Sequence, residues 1–391
     1  MDDLRRAIQH SSEDLPISAT SALRANINLM NRLSTIRDQH HNESVINDLD
    51  LHECSSPDTI LYRVLTPEPF SYEDALWDDL KAHLRVKEAF ENPQNNAIHC
   101  GVPKPFNYIP KTNNTWWERN MSFFPTVHDS ITLPAMTLAS ERTPPLPTIA
   151  REALINNQCA AEYRQFAAAN PTNRDCLARK YLCRRHMKTT PSPNLTLRNF
   201  NLHLDQMIEL KYPIGNLATA IGEALAVIHR LANVDAYDIE FVLGSETDSR
   251  YKHNVLSTLK PSSDQVVAMP MYTDIEHLLA VKSERHATRL WVFDFNLCHI
   301  WYQDTGINHP ESLITHLVEA FSEDDPYYPL PLMENALEHG LWDMFSNSHI
   351  RKASEALQAR DPRLACLPQK FIDGCLAGDG ESPEGNWSWS P

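Results

Sequence analysis

The sequence predicts an α+β protein that is rich in helix and has two lobes. Apolar residues recur at helical spacing through residues 216–232, which indicates a long buried helix. Short apolar runs at 241–243 and 290–293 are typical of strands. A chain of 391 residues can bury a large core, and it is expected to fold as two lobes or as two closely associated domains.

The composition argues against several classes of protein. The formal net charge of −16 opposes broad binding to a nucleic-acid backbone. No apolar run reaches the roughly 18 residues that a membrane span needs, so no membrane partner is expected. The N-terminal residues MDDLRRAIQHSSEDL lack the charged and then apolar pattern of a secretion signal. We therefore expect a cytoplasmic protein.

The eight cysteines show no metal-binding spacing. No CxxC pair occurs, so no zinc site and no other metal site is expected. In a reducing compartment these thiols are expected to be small buried hydrophobic groups, with one catalytic thiol as the alternative. The residues are Cys54, Cys100, Cys159, Cys176, Cys183, Cys298, Cys366 and Cys375.

Changes in composition divide the chain into four stretches. Residues 1–57 are polar and are predicted to form an N-terminal appendage with one helix at 18–37. Residues 58–148 are predicted to form a smaller lobe that ends in a belt rich in proline and aromatic residues. Residues 149–375 are expected to form the helix-rich main lobe with an acidic pocket, and residues 376–391 a disordered tail.

Local patterns predict further elements. Capping residues, prolines and apolar spacing set their bounds. In chain order they are a strand at Ile60–Leu65, a helix from a capping box at Ser71 and Asp74 to about Phe90, a strand within 176–183, a turn into a helix at 195–210, an insertion at 245–288, a helix that begins at Pro310 and a last helix at Trp342–Leu357.

Acidic residues gather where the central helix ends. Asp235, Asp238 and Glu240 stand between that helix and the short strand at 241–243. Asp294 follows the strand at 290–293. If the two strand edges lie close together, the sequence predicts a charged pocket there.

Two further groups of polar residues have both a functional and a structural interpretation. Asp205 and Glu209 are four residues apart and share one helix face, where they form either a joint site or a solvated surface. His229 lies on the apolar face of the central helix and is expected to be a buried core histidine. Residues 160–200 hold eight Lys or Arg and two acids, and they form either a polyanion-binding patch or a solvated face.

One pattern is similar to kinase-like phosphotransferases such as the aminoglycoside phosphotransferases. Those enzymes place a base Asp, four residues and a metal-binding Asn before a later strand that ends in a metal-binding Asp. Asp235 to Glu240 has that spacing with Glu in place of Asn, and Asp294 ends a later strand. No glycine precedes Gly101, and Arg63 stands where a strand lysine is expected. A degenerate kinase-like scaffold is therefore favoured over an active phosphotransferase.

Five strings stand in a characteristic order along the chain: DCLARKYLCRRH (175–186), LTLRNFNLHLDQMIEL (195–210), IGEALAVIHRLANVDAYDIEFVLGS (221–245), LWVFDFNLC (290–298) and DDPYYP (324–329). Together they resemble a large fungal family of unknown function that is often named as zinc-finger proteins. Some members of that family are arginine-containing cyclodipeptide synthases.

The resemblance implies an aminoacyltransferase. It would join arginine from arginyl-tRNA to the residue of a second aminoacyl-tRNA as a cyclo(Arg-Xaa) diketopiperazine in secondary metabolism. The ester of an aminoacyl-tRNA is already activated, so no cofactor, ATP or metal is needed. A non-catalytic kinase-like scaffold protein and a small-molecule phosphotransferase remain alternatives.

The residues are compatible with that chemistry. A guanidinium binds planar carboxylates, and crowding raises the pKa of at least one acid, which makes it a candidate base. The candidate catalytic residues are Asp235, Asp238 and Glu240. The candidate substrate-binding residues are Asp294, Asp205, Glu209, Arg198, Arg179, Arg184 and Arg185, of which the arginines lie in or near the basic segment 174–188 expected to hold tRNA phosphates.

Overall fold

The structure is a computed structural model, and part of the chain is described. The described residues are 60–64, 75–92, 99–121, 124, 133–186, 193–245, 288–322, 327–331, 335–357 and 362–378. The helix expected at 18–37, the capping box at Ser71 and Asp74, the insertion between 246 and 287 and the tail beyond 378 lie outside the described residues.

The described residues form an α+β fold in which helix predominates, as the sequence predicts. In chain order the elements are β1 (Ile60–Val64), α1 (Ala75–Glu91), β2 (Cys100–Gly101), β3 (Pro105–Ile109), α2 (Asn114–Asn120), β4 (Thr137–Glu141), α3 (Thr148–Gln158), α4 (Arg164–Ala169), α5 (Pro171–Arg174), β5 (Ala178–Tyr181), β6 (Phe200–His203), α6 (Leu204–Glu209), α7 (Ile214–Val227), β7 (Glu240–Ser245), β8 (Thr288–Phe293), α8 (Gln303–Asn308), α9 (Pro310–Ser322), α10 (Ala336–Leu357) and α11 (Leu367–Gly378). Among these described helices, none is long and apolar enough to cross a membrane.

The chain folds into two compact units, each made of separate stretches. Unit 1 takes the described residues of Met1–Arg142, Pro213–Phe241 and Val292–Pro391. Unit 2 takes those of Thr143–Tyr212 and Val242–Trp291. The sequence-based division had a boundary at residue 148 and kept residues 149–375 in one lobe. In the structure, unit 1 is made of three stretches of the chain, and unit 2 is made of the two stretches between them. Hydrophobic spacing marks helices and strands, but it does not show which stretches fold together.

Two sheets are present in the described residues. In the first, β4 lies between β1 and β3 and is antiparallel to both, with Ile60 opposite Glu141 and Ile109 opposite Thr137. The second has the strand order β2-β8-β7-β5-β6. It is a mixed sheet, because β5 is parallel to β6 and antiparallel to β7.

Several predicted elements are confirmed at their expected places. The first strand ends at Val64, one residue before its predicted end, and α9 begins at Pro310, whose missing N–H suits the first helical position. β8 ends at Phe293, so Asp294 directly follows a strand. The central helix is observed as α7, and the strand beyond it extends from Glu240 to Ser245.

Other elements differ from the prediction. The segment 195–210 contains the strand β6 before its helix, and this four-residue strand was missed. The helix predicted at Trp342–Leu357 begins earlier, at Ala336, and is not the last one. The missed helix α11 covers 367–378 and includes the first residues of the predicted tail.

The helices α7 and α10 pack closely against each other in unit 1. A Cβ atom at Gly222 in α7 would lie 2.3 Å from the carbonyl oxygen of Phe345 and 2.3 Å from Oγ of Ser348, both in α10. The Ser348 hydroxyl, which can donate one hydrogen bond, lies 3.1 Å from the carbonyl oxygen of Thr219 in α7 and 2.8 Å from that of Phe345. The absence of a side chain at Gly222 therefore lets the two helices approach.

Replacement of Gly222 by alanine is expected to lower the free energy of unfolding by about 2 kcal/mol or more, because the methyl group forces the helices apart. Gly340 in α10 is the matched control, since no atom lies within 4 Å of a Cβ built there. Gly340→Ala is expected to raise stability by about 0.5–1 kcal/mol through helix propensity. Urea denaturation followed by circular dichroism measures both, and equal effects of the two changes would contradict the packing.

Candidate functional site

The loop after α7 carries the predicted acids. α7 ends in a π-helical turn at Ile228–Ala232, and Asn233 then adopts a left-handed backbone with φ 55°. A short polar side chain tolerates this conformation, so Asn suits the position that ends a helix. The loop then leads to Glu240 at the start of β7.

Backbone contacts fix this loop against the chain that follows β8, within unit 1. The N–H of Asp235 donates to the carbonyl oxygen of His299 at 3.0 Å. Val234 and Ile300 form an antiparallel bridge beside that bond. Two loops that are far apart in sequence therefore lie side by side, and their side chains can share one site.

Asp235 is the centre of this site, and its side chain is 0% exposed. Its Oδ1 accepts hydrogen bonds from the backbone N–H groups of Tyr237 at 3.1 Å and His299 at 2.8 Å. Its Oδ2 lies 2.9 Å from Nδ1 of His299 and 2.8 Å from Nε2 of His316. A carboxylate can only accept, so both imidazoles donate to Oδ2. Asp235, a candidate base by sequence, thus holds two imidazoles with both of its oxygens engaged.

The two imidazoles reach from this buried carboxylate towards solvent. The side chain of His299 is 70% exposed and that of His316 is 45% exposed. Their ring centres are 5.8 Å apart. A buried carboxylate that orients one ring nitrogen leaves the other nitrogen available for chemistry. The arrangement can therefore bind a proton, a metal ion or a polar substrate group.

Four carboxylates of unit 1 act electrostatically on the Cys298 thiol. Burial raises the pKa of Cys298 well above its ordinary value, and the charges of Asp235, Asp79, Asp294 and Asp238 raise it further. We call these four acids the acid cluster. The thiol is held protonated, which makes Cys298 a poor nucleophile. The same negative potential would favour a bound cation.

The acid cluster has a buried side and a more open side. Asp79 and Asp235 are buried, whereas Asp238 and Asp294 are half-buried. Asp238 and Asp294 have left-handed backbones with φ 58° and 71°, and Ala236 between the first two loop acids has φ 64°. That conformation costs an alanine about 1–2 kcal/mol. Backbone strain of this kind concentrates at functional sites.

The structure brings together some of the predicted site residues and separates others. Asp235, Asp238 and Asp294 share the acid cluster in unit 1, and Glu240 is half-buried at the first position of β7. Asp205 and Glu209 instead belong to α6 in unit 2. There Oδ1 of Asp205 accepts the backbone N–H of His186 at 2.7 Å, which is a structural role.

The predicted arginines also belong to unit 2. Arg179 in β5 and Arg184 after it are half-buried, and the Arg184 guanidinium lies 5.8 Å from the centre of the Tyr181 ring. Arg185 and Arg198 are exposed. Residues 187 and 188, at the end of the basic segment, lie outside the described residues.

His229 is a buried core histidine, as its position on the apolar face predicted. Its Nε2 lies 3.2 Å from the carbonyl oxygen of Asp235. Burial, together with His349 and Arg230, lowers the pKa of His229 well below its ordinary value. The ring is therefore neutral and supports the backbone of the site.

Asp79, His299 and His316 belong to the site but were not predicted from the sequence. His316 carried a weak signal, because it follows Leu313 by three residues and precedes Ala320 by four, which places it on the apolar face of α9. His299 and Asp79 gave no comparable signal.

Comparison with known proteins gives one family match. Residues 290–361 match the DUF3669 family, a domain of unknown function described as a zinc finger protein. This agrees with the sequence resemblance to a family of that description over those residues, which include Asp294, His299 and His316. No curated protein and no solved structure matched the chain.

Proposed function

We propose that this chain is a tRNA-dependent cyclodipeptide synthase. It would take arginine from arginyl-tRNA and a second residue from another aminoacyl-tRNA and release a cyclo(Arg-Xaa) diketopiperazine. The proposed activity comes from the ordered strings that resemble the fungal family. The observation that supports it is the acid cluster, in which four carboxylates raise the pKa of the Cys298 thiol through their charges.

The acid cluster suits an arginine side chain. A guanidinium is always charged and binds planar carboxylates through two parallel hydrogen bonds. Asp294 is half-buried. Its carboxylate is therefore partly shielded from water, and a ligand can still reach it. Asp79 and Asp235 are buried and add negative potential behind it. In this proposal Asp294 binds the guanidinium.

The chemistry requires two acyl transfers. In the first, the α-amine of one aminoacyl-tRNA attacks the ester carbonyl of the other, which forms an amide and releases one tRNA with a free ribose hydroxyl. In the second, the free α-amine of the dipeptidyl-tRNA attacks the remaining ester, which closes the ring and releases the second tRNA. Each amine must lose a proton, and half-buried Asp238 in the acid cluster is the proposed acceptor.

Binding of tRNA is assigned to unit 2 in this proposal. Arg185 and Arg198 are exposed there, and Arg179 and Arg184 are half-buried nearby in sequence. Arginine is the side chain best suited to phosphate recognition. The net charge of −16 would repel other parts of a nucleic acid and limit nonspecific binding.

Expression of the full chain in a bacterial host is expected to yield cyclo(Arg-Xaa) from the host's own charged tRNAs. Liquid chromatography and mass spectrometry detect the product, and isotope-labelled arginine in the medium identifies its arginine half. Asp238→Asn keeps the size of the side chain and tolerates φ 58°. It is expected to reduce the product by about 100-fold or more, as loss of a proton acceptor does.

Asp373→Asn is the matched control. Asp373 is exposed on α11, so this substitution removes a negative charge from the surface. It should leave the amount of product unchanged. Soluble protein at normal levels with no arginine-containing diketopiperazine would overturn the proposal. A thermal shift with Mg²⁺ and ATP in that product-free protein would favour the kinase-like scaffold instead.

A further inference from the structure

Three side chains at the edge of the acid cluster have the geometry of a metal site. One carboxylate oxygen of Asp235 and one ring nitrogen each of His299 and His316 lie within 4.8 Å of one another. Oδ2 of Asp235 is 2.9 Å from Nδ1 of His299 and 2.8 Å from Nε2 of His316. We propose that these three residues bind one divalent transition-metal ion, and that zinc is the ion this donor set suits best. The site does not depend on the proposed synthase activity.

The carboxylate is held ready for such an ion. Two backbone N–H groups, of Tyr237 and His299, bind Oδ1 of Asp235. This fixes the plane of the carboxylate and directs Oδ2 towards the two imidazoles, at 2.9 Å and 2.8 Å. Hydrogen bonds that orient a ligating carboxylate in this way raise the affinity of metal sites.

Separate elements present the two imidazoles. His299 is fixed through its backbone, because its carbonyl oxygen accepts the N–H of Asp235 and the next residue pairs with Val234. His316 lies in α9, a helix of 13 residues whose buried face includes Leu313 and Leu317. The three ligands therefore come from different parts of the chain and meet on rigid supports.

The donor atoms favour zinc over magnesium or calcium. Zinc binds imidazole nitrogen and carboxylate oxygen at about 2.0–2.2 Å, which places neighbouring ligand atoms about 3.3 Å apart in a tetrahedron. The two nitrogens now lie 2.8 Å and 2.9 Å from Oδ2, so each pair has to open by about half an ångström. Magnesium and calcium prefer sets of oxygen ligands.

The ring protons can move to make room for the ion. Without metal, each imidazole donates its N–H to Oδ2 of Asp235. With metal, the ring proton moves to the opposite nitrogen, so that a lone pair at Nδ1 of His299 and at Nε2 of His316 faces the ion. Both of the opposite nitrogens belong to partly exposed rings, so solvent can supply and accept these protons.

The surroundings are those of an open site. His299 and His316 are 70% and 45% exposed, which leaves a fourth position for water or a substrate oxygen. Three protein ligands with an open position are typical of catalytic zinc, whereas structural zinc is enclosed by four. Asp79, Asp238 and Asp294 add negative charge around Asp235 and further favour a cation.

This site is not a cysteine finger. The thiol of Cys298 donates to the carbonyl oxygen of Tyr237 at 3.3 Å. Across the part of the chain that the structure describes, the trio is the one group of three His, Cys, Asp or Glu residues with such closely spaced ligand atoms. The expectation that the chain has no zinc site was based on the spacing of its cysteines. That spacing gives no information about a site made of histidine and aspartate.

The test uses the purified full chain, stripped with a chelator and titrated with zinc chloride. Isothermal titration calorimetry is expected to show about one zinc per chain, and His299→Ala and His316→Ala are each expected to weaken binding by about 100-fold or more. Cobalt(II) should give visible absorption bands of a nitrogen- and oxygen-ligated ion that both variants lose. Magnesium chloride at the same concentration should not compete.

The exposed histidines His309 and His339 provide matched controls, and their alanine variants should bind zinc as the wild type does. His299→Ala removes a largely exposed ring and should fold even if His316→Ala does not. The proposal is overturned if the wild type takes up no zinc at micromolar concentration, or if both ligand variants keep wild-type affinity. Because no tRNA or product enters this measurement, its outcome is separate from that of the proposed synthase activity.

Discussion

Replacement of Asp235 by alanine is expected to lower the free energy of unfolding by about 3–5 kcal/mol. The fully buried carboxylate accepts hydrogen bonds from the N–H groups of Tyr237 and His299, and its other oxygen binds two imidazoles. Alanine leaves the two backbone N–H groups, whose hydrogen bonds to Asp235 are partly buried, without their carboxylate partner, and each such loss costs about 1–3 kcal/mol. Urea denaturation with a chelator present measures the effect without a contribution from metal.

Two further variants make this prediction specific. Asp235→Asn keeps one oxygen that can accept the backbone N–H groups, so its effect is expected to be smaller than that of alanine. Asp343 is exposed on α10, and Asp343→Ala is expected to change stability by no more than about 0.5 kcal/mol. A loss of less than about 1 kcal/mol in the free energy of unfolding of Asp235→Ala would show that the carboxylate does not hold the loops of Asp235 and His299 together.

Replacement of Asp294 by asparagine is expected to reduce kcat/KM for arginyl-tRNA by about 100-fold. The change removes the negative charge that the guanidinium meets, and a factor of 100 corresponds to about 2.8 kcal/mol, near the upper value for hydrogen bonds to a charged group. Asparagine has nearly the same shape as aspartate and tolerates the left-handed backbone of φ 71°. The melting temperature should therefore stay near that of the wild type.

The control for this variant is Asp304→Asn, an exposed acid in the first turn of α8 in the same unit. It should leave kcat/KM unchanged. Rates come from mass spectrometry of the diketopiperazine formed by purified protein. Equal rates for Asp294→Asn and the wild type would remove Asp294 from arginine recognition.

The strands and helices that deliver the acids were predictable because each depends on local sequence. Helical spacing identified α7, and an apolar run identified the strand before Asp294. The proximity of Asp294 to Asp235 followed from the assumption that two strand edges meet, and both acids do lie near Cys298. Local patterns were enough here because a strand fixes the position of the residue that follows it.

The two histidines were not predictable from local patterns. His299 lies 64 residues and His316 81 residues after Asp235 in the chain. Their approach depends on the bridge between Val234 and Ile300 and on the packing of α9, which are tertiary features. One sequence carries no signal of such pairings, so the role of Asp235 was expected to be that of a base.

The division into units was missed for a similar reason. Residues 213–241 return to the first unit after a long excursion, and no change in composition marks that return. As a result Asp205 and Glu209 were placed in the same lobe as the central acids, although α6 belongs to unit 2. Helical spacing placed the two acids on one helix, but it could not show which unit that helix joins.

The proposed synthesis of cyclodipeptides from aminoacyl-tRNA can be tested by following labelled arginine from tRNA into product. Purified protein is incubated with radiolabelled arginyl-tRNA and a mixture of other aminoacyl-tRNAs, without ATP, and the products are separated by chromatography. The proposed synthase activity predicts that the label leaves the tRNA as a cyclo(Arg-Xaa) diketopiperazine. Label that stays on tRNA, or that appears only as free arginine at the rate seen without protein, would contradict it.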